Sequence, residues 1–219
     1  MTKSILLIMA HPDDAFVWCG GFIFSCLKLK SKINVLSLSK AEEDVEKNIE
    51  KLAEKHGFEY CSISKNEVDI DVISNILIKT QPDLIITHWF QDTHEYHRMT
   101  VNLTDTAIQK YKLDTYDKRN KSVNIRCLQC DTYYSLGTTG DPFPGKTIID
   151  ISSYFSEKID ILKVVSSKYI NIIEPMIRVQ GAFYGGKIGC EYAEAFLEYS
   201  SLASIGGGLG RMNTQSIIG

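Results

Sequence analysis

Ser4-Ile5-Leu6-Leu7-Ile8-Met9-Ala10, running straight into His11-Pro12-Asp13-Asp14, decides the fold. An uncharged apolar run of this length, stopped by a tight turn at Pro12, reads as a strand buried on both faces. Residues 20–30 then have helical character, with Phe22, Cys26 and Leu29 on one face. The unit repeats. Residues 33–39 are strand-like, and 42–56 form a charged amphipathic helix with Val45, Ile49, Leu52 and Ala53 inward and Gly57 as its stop. A third strand spans 59–64, a helix 72–81 ends at Pro82, and a fourth strand spans 83–88. Strands alternating with helices define an α/β fold, a parallel sheet with helices on both faces.

The second half is looser. It offers a helix near 100–111, a polar stretch 114–122, strands at 123–130 and 147–152, a turn-rich loop at 137–145 and a helix at 156–169. With 219 residues and no linker, the chain reads as a single domain over 1–200. Residues 201–219, with Gly206-Gly207-Gly208 and Gly210, read as a flexible tail.

Composition removes several classes of function. A hydrophobic fraction of 44% with 23% charged residues excludes intrinsic disorder. A net charge of -3 lacks the basic footprint of a nucleic-acid partner. No apolar run approaches the roughly 20 residues of a transmembrane segment, and the N-terminal run is too short for a signal peptide. Of the six cysteines only Cys127 and Cys130 lie close in sequence, so reduced structural thiols and a cytoplasmic location are expected. The sequence leaves open whether the chain forms a homo-oligomer.

Parallel sheets bind ligands beyond the carboxyl ends of their strands. That rule selects 11–14, after strand one, and 88–97, after strand four, which together hold four of the five histidines. A divalent metal held for hydrolysis needs about three His, Asp, Glu or Cys ligands and a position open to water. His11 and Asp14 are close enough on their turn to share an ion, and His97 can close a facial triad from the other strand end. Asp13 is the candidate general base, His94 a proton carrier for the oxyanion or leaving amine, and Asp92 the carboxylate that orients a histidine. His56, at a helix end, reads as a dipole partner.

At these residues a resemblance becomes specific. Ala10-His11-Pro12-Asp13-Asp14, followed by Gly20-Gly21 as a helix start, resembles the Ala-His-Pro-Asp-Asp-Glu signature of the PIG-L/LmbE-like family of metal-dependent N-deacetylases. His88 and then Asp92-Thr93-His94-Glu95-Tyr96-His97-Arg98 resemble its second signature. Further similarity in Phe143-Pro144, Ile149-Asp150-Ile151-Ser152, Glu157-Lys158 and Tyr192-Ala193-Glu194-Ala195-Phe196 extends it over nearly the whole chain.

The resemblance implies a Rossmann-like, mostly parallel sheet and hydrolysis of an acetamide on a small-molecule N-acetylglucosamine conjugate. It also implies zinc, or another first-row divalent ion, on His11, Asp14 and His97. Asp13 would then be the base and His94 the charged partner, with Tyr96 and Arg98 as substrate contacts. Three departures stand out. Ala15 replaces the usual Glu, Tyr96 replaces a usual Asp, and the arginine common after strand two has no match, leaving Lys40 or Lys47 as substitutes. The rival functions are the same hydrolase acting on another acyl amide or ester, and a non-catalytic sugar-binding member.

Overall fold

The computed structural model describes residues 3–119 and 123–199. β1 (Ser4–Met9), β2 (Lys32–Ser37), β3 (Glu59–Ser62), β4 (Leu84–Thr87) and β5 (Arg126–Cys130) pair in parallel. β7 (Ala193–Tyr199) runs antiparallel between β5 and β6 (Thr147–Asp150), giving the order β3-β2-β1-β4-β5-β7-β6. The fold is thus a single α/β domain with a mostly parallel sheet. Among the described residues no helix is long and apolar enough to cross a membrane. The expected tail, 201–219, lies outside the described residues.

The period-two geometry of β1 divides its side chains between two cores. Ile5, Leu7 and Met9 join the core under α1 (Asp14–Lys28), α2 (Glu43–His56), α5 (Phe155–Val165) and α6 (Ile170–Ile188). Leu6 and Ile8 join the one under α3 (Ile70–Thr80) and α4 (Glu95–Arg119). Cys127 and Cys130 fall on opposite sides of the sheet in the same way, so the short Cys spacing brings no pair together.

Several expected boundaries move. α1 begins at Asp14, six residues before the expected start, and Gly20-Gly21 lies in its interior. Every residue from Asp14 to Ile23 is buried, so this part of the helix shows no polar face by which a period could be read. Leu29, expected inward, is 78% exposed past the helix end. α4 absorbs much of the stretch expected as polar loop. α6 and β7 were not foreseen as elements.

Gly21 shows why α1 packs so closely. A Cβ there would sit 2.5 Å from the Ile151 Cβ. Instead the bare backbone admits Glu194 of β7, whose carboxylate accepts from the Gly21 N–H at 2.9 Å and the Phe22 N–H at 2.8 Å. Lys158 of α5 completes this buried set at 2.7 Å. Gly21→Ala should therefore cost about 1–3 kcal/mol through overpacking, read as a lower denaturant midpoint at unchanged slope. A wild-type midpoint would show that Ile151 simply moves aside.

Candidate metal centre at the switch point

β1 connects outward through β2 to β3, whereas β4 leads the other way to β5, so the sheet reverses its winding between β1 and β4. The loops leaving these two neighbouring strands part above the sheet and open the crevice where ligands bind in such folds. After β1 the backbone turns at once. The Asp13 carbonyl accepts from the Phe16 N–H at 2.9 Å and the Val17 N–H at 3.0 Å, placing Asp14 in the first helical turn. A carboxylate is favoured there by the helix dipole.

Asp14 Oδ2 is the focus of the cluster. It accepts the His11 backbone N–H at 2.7 Å and lies 3.1 Å from His11 Nδ1, 3.3 Å from His88 Nε2 and 3.4 Å from His97 Nε2. His97 is fixed from behind by Asp92, with Nδ1 to Oδ2 at 2.7 Å. Asp14, His88, Asp92 and His97 are buried, while His11 retains 27% exposure and forms the approach from solvent.

Burial opposes charge on Asp14, yet His97 and His88 hold its carboxyl well below the usual range. Burial likewise opposes a charged His97, but Asp14 and Asp92 on either side raise its pKa to about 10. Burial and His97 together push His88 down to about 4, so it is neutral. The field of two carboxylates invites one positive charge beside His97, and a cation can take the proton's place.

Two donor sets share His97: His11, Asp14 and His97, and His88, Asp92 and His97. The first fits an ion better. His88 Nε2 accepts the Ala10 N–H at 3.0 Å, and Asp92 is committed to His97 Nδ1 and, at 2.7 Å, to the His94 N–H. His97 Nε2 is buried with no hydrogen-bond partner. Nitrogen and oxygen donors with one histidine held from behind by a carboxylate suit zinc and its first-row neighbours. Asp92→Asn should weaken metal binding about 10- to 100-fold, measured by chelator competition. Unchanged affinity would reduce Asp92 to a loop cap acting through the His94 N–H.

The remaining predicted residues surround this cluster. Asp13 turns toward Ser166, whose hydroxyl donates to its Oδ2. Burial and the neighbouring Asp14 raise its pKa. His94 packs its ring 4.9 Å from His11 and 4.6 Å from His97. Its Nδ1 accepts the Tyr96 N–H at 3.2 Å, and burial with His97 lowers its pKa, so it is a neutral imidazole with the proton on Nε2. Tyr96 stands 6.1 Å from the His11 ring. Arg98 sends Nη1 to the Asp92 and Thr93 carbonyls at 2.7 and 3.1 Å, bracing the loop. Lys40 lines the cleft beside Asp13, whereas Lys47 pairs with Glu43 on the exposed side of α2.

Four neighbours had no assigned role in the sequence reading. His88 stacks on His97 at 3.7 Å and 12°. Tyr133 stacks on the same ring at 5.8 Å and packs edge-on against Trp18. Lys65 places Nζ 4.0 Å over the Tyr96 ring. Ser166 meets Asp13 from 153 residues away. His88 carried a signal, as the fourth histidine of the two loops, and Tyr133 a weaker one, as a loop aromatic that could line a pocket or join the core.

Fold and cluster together define an α/β protein with a His-Asp-His set at its switch point that could hold a metal ion. No family model and no curated protein matches the sequence. Among solved structures it is similar to GalB, the 4-carboxy-2-hydroxymuconate hydratase of Pseudomonas putida KT2440, with TM-score 0.76 and 16% identity over 95% of this chain and 100% of that one. The N,N'-diacetylchitobiose deacetylase of Pyrococcus horikoshii gives 0.70 and 20% identity over 91% and 85%. A zinc-inhibited teicoplanin deacetylase, Orf2, gives 0.63 and 12% over 89% and 97%. The chain has the fold of the PIG-L/LmbE-type deacetylases.

Proposed function

We propose that the protein is a metal-dependent hydrolase that removes an N-acetyl group from an amino-sugar conjugate of N-acetylglucosamine type, releasing acetate and a free amine. The observation that carries this reading is the buried, unpartnered His97 Nε2, held by Asp92 and facing Asp14 Oδ2 beside His11. His11, Asp14 and His97 would hold the ion, with zinc the first candidate. When bound, it supplies Lewis acidity to the amide carbonyl and to the attacking water.

The chain's own groups account for the proton movements. Asp13 takes a proton from the water as the new C–O bond forms, and its raised pKa makes it a stronger base than an ordinary carboxylate. Ser166 fixes its orientation. The Nε2–H of His94 donates a hydrogen bond to the carbonyl oxygen as that atom gains charge, and Asp13 passes the proton it took from water to the nitrogen as the C–N bond breaks. A neutral imidazole suffices for that hydrogen bond, so His94 need not be charged at rest.

The test is acetate release from a panel of N-acetylglucosamine conjugates, with chelator and then with added zinc. Stoichiometric acetate that disappears with chelator and returns with zinc supports the proposal. The likeness to GalB favours a second reading, hydration of a carbon–carbon double bond. Loss of the ultraviolet absorbance of an unsaturated acid, without acetate release from any conjugate, would replace the first reading by the second.

A further inference from the structure

Two clefts of similar size and opposite character adjoin the cluster, one lined by Asp13 and the other by His94. One, about 530 Å3, is lined by Pro12, Asp13, Lys40, Glu42, Ser166 and Lys168 and is rich in charge. The other, about 560 Å3, is lined by Thr93, His94, Tyr133, Tyr134, Leu136 and Gly137 and contains no acidic or basic side chain other than His94. Tyr134 and Leu136 are 67% and 44% exposed there.

The backbone that presents Tyr134 is unusual. Tyr134 and Ser135 both have left-handed backbones, with φ of 56° and 53°. Side chains with a Cβ resist this conformation, and successive instances persist only where the surroundings impose them. The surroundings here are polar and partly buried. Asp131 accepts from the Ser135 hydroxyl at 2.7 Å and the Thr132 N–H at 2.8 Å. Gln180 of α6 donates to the Thr132 carbonyl at 2.8 Å and the Ser135 hydroxyl at 2.9 Å. A partly buried network thus holds an exposed aromatic ring in the cleft that His94 also lines.

We infer that Tyr134 is a specificity-determining residue, the platform for an apolar group carried by the substrate close to its scissile amide, and that Asp131 is the residue that positions it. The inference rests on the proposed function only for the amide. The polar part of the same substrate is assigned to the charged cleft beside Asp13. The apolar group can be an aryl aglycone or an acyl chain longer than acetyl, and the shared chemistry is carbon surface against an aromatic face.

The experiment measures binding by calorimetry and turnover separately, on wild type and on Tyr134→Asn, which keeps a residue tolerant of positive φ. One arm compares p-nitrophenyl with methyl N-acetyl-β-glucosaminide, and the other compares N-hexanoyl- with N-acetylglucosamine. Wild type should bind the apolar member of at least one pair about tenfold more tightly, and Tyr134→Asn should erase that preference while changing affinity for the plain member less than about twofold. The responding arm identifies the source of the group. Equal binding within both pairs, or a preference that survives Tyr134→Asn, overturns the inference. A preference that depends on Tyr134 without hydrolysis of any compound upholds the cleft and removes the proposed reaction. Asp131→Ala should raise KM for the apolar substrate with kcat on the plain one retained, and an equal loss on every substrate would make Asp131 merely structural.

Discussion

Asp13→Asn should lower kcat by about 10² to 10⁴ while the protein keeps its full complement of metal. The amide matches the carboxylate in size, and its oxygen can still accept from the Ser166 hydroxyl. The start of α1 survives as well, because the Phe16 and Val17 N–H groups bond to the Asp13 main-chain carbonyl rather than its side chain. What disappears is the capacity to take a proton from water. Steady-state kinetics beside metal analysis of the same preparation checks this. Loss of metal would make Asp13 a ligand, and undiminished turnover would remove it from the chemistry.

Asp14→Ala should have the larger effect, loss of stoichiometric metal and of all measurable turnover. Three imidazoles and a backbone N–H converge on the one oxygen the substitution deletes. Without it two neutral ligands remain for the ion, and the charge that favours a cation there is gone. Metal content after gel filtration decides the matter. A variant that retained one ion per chain would move the centre to His88, Asp92 and His97, the other donor set within reach.

The first half of the fold was legible because burial there follows simple periods. Strands β1 to β4 fall within about two residues of their expected bounds, in keeping with the usual uncertainty of element ends. α6 was not read, since Pro175 lies inside it, Gly181, Gly185 and Gly186 interrupt it, and Ile172, Val179 and Phe183 are exposed apolar residues that blur its period. β7 was hidden by Glu194, a charge that is buried only because Lys158 and two N–H groups of α1 meet it.

The cluster was legible for a different reason. His11, Asp14 and His97 lie on the turns and first helical residues that follow adjacent parallel strands, so local spacing and one topological rule suffice to bring them together. Ser166 and Lys65 come from other loops, and no local pattern announces that they will face Asp13 and Tyr96. Partners of that kind emerge only from the packed structure.

The grip of Glu194 on Gly21 and Phe22 has a temporal consequence. The helix that carries Asp14 is made some 173 residues before the carboxylate that seats its middle. A ribosome-bound chain lacking β7 has Lys158 without its buried counter-charge and α1 without its anchor. Domains generally fold as units, so a nascent chain that stops short of β7 should not yet hold α1 in its final seat. β7 thus completes, long after it was begun, the seat of the helix that carries Asp14.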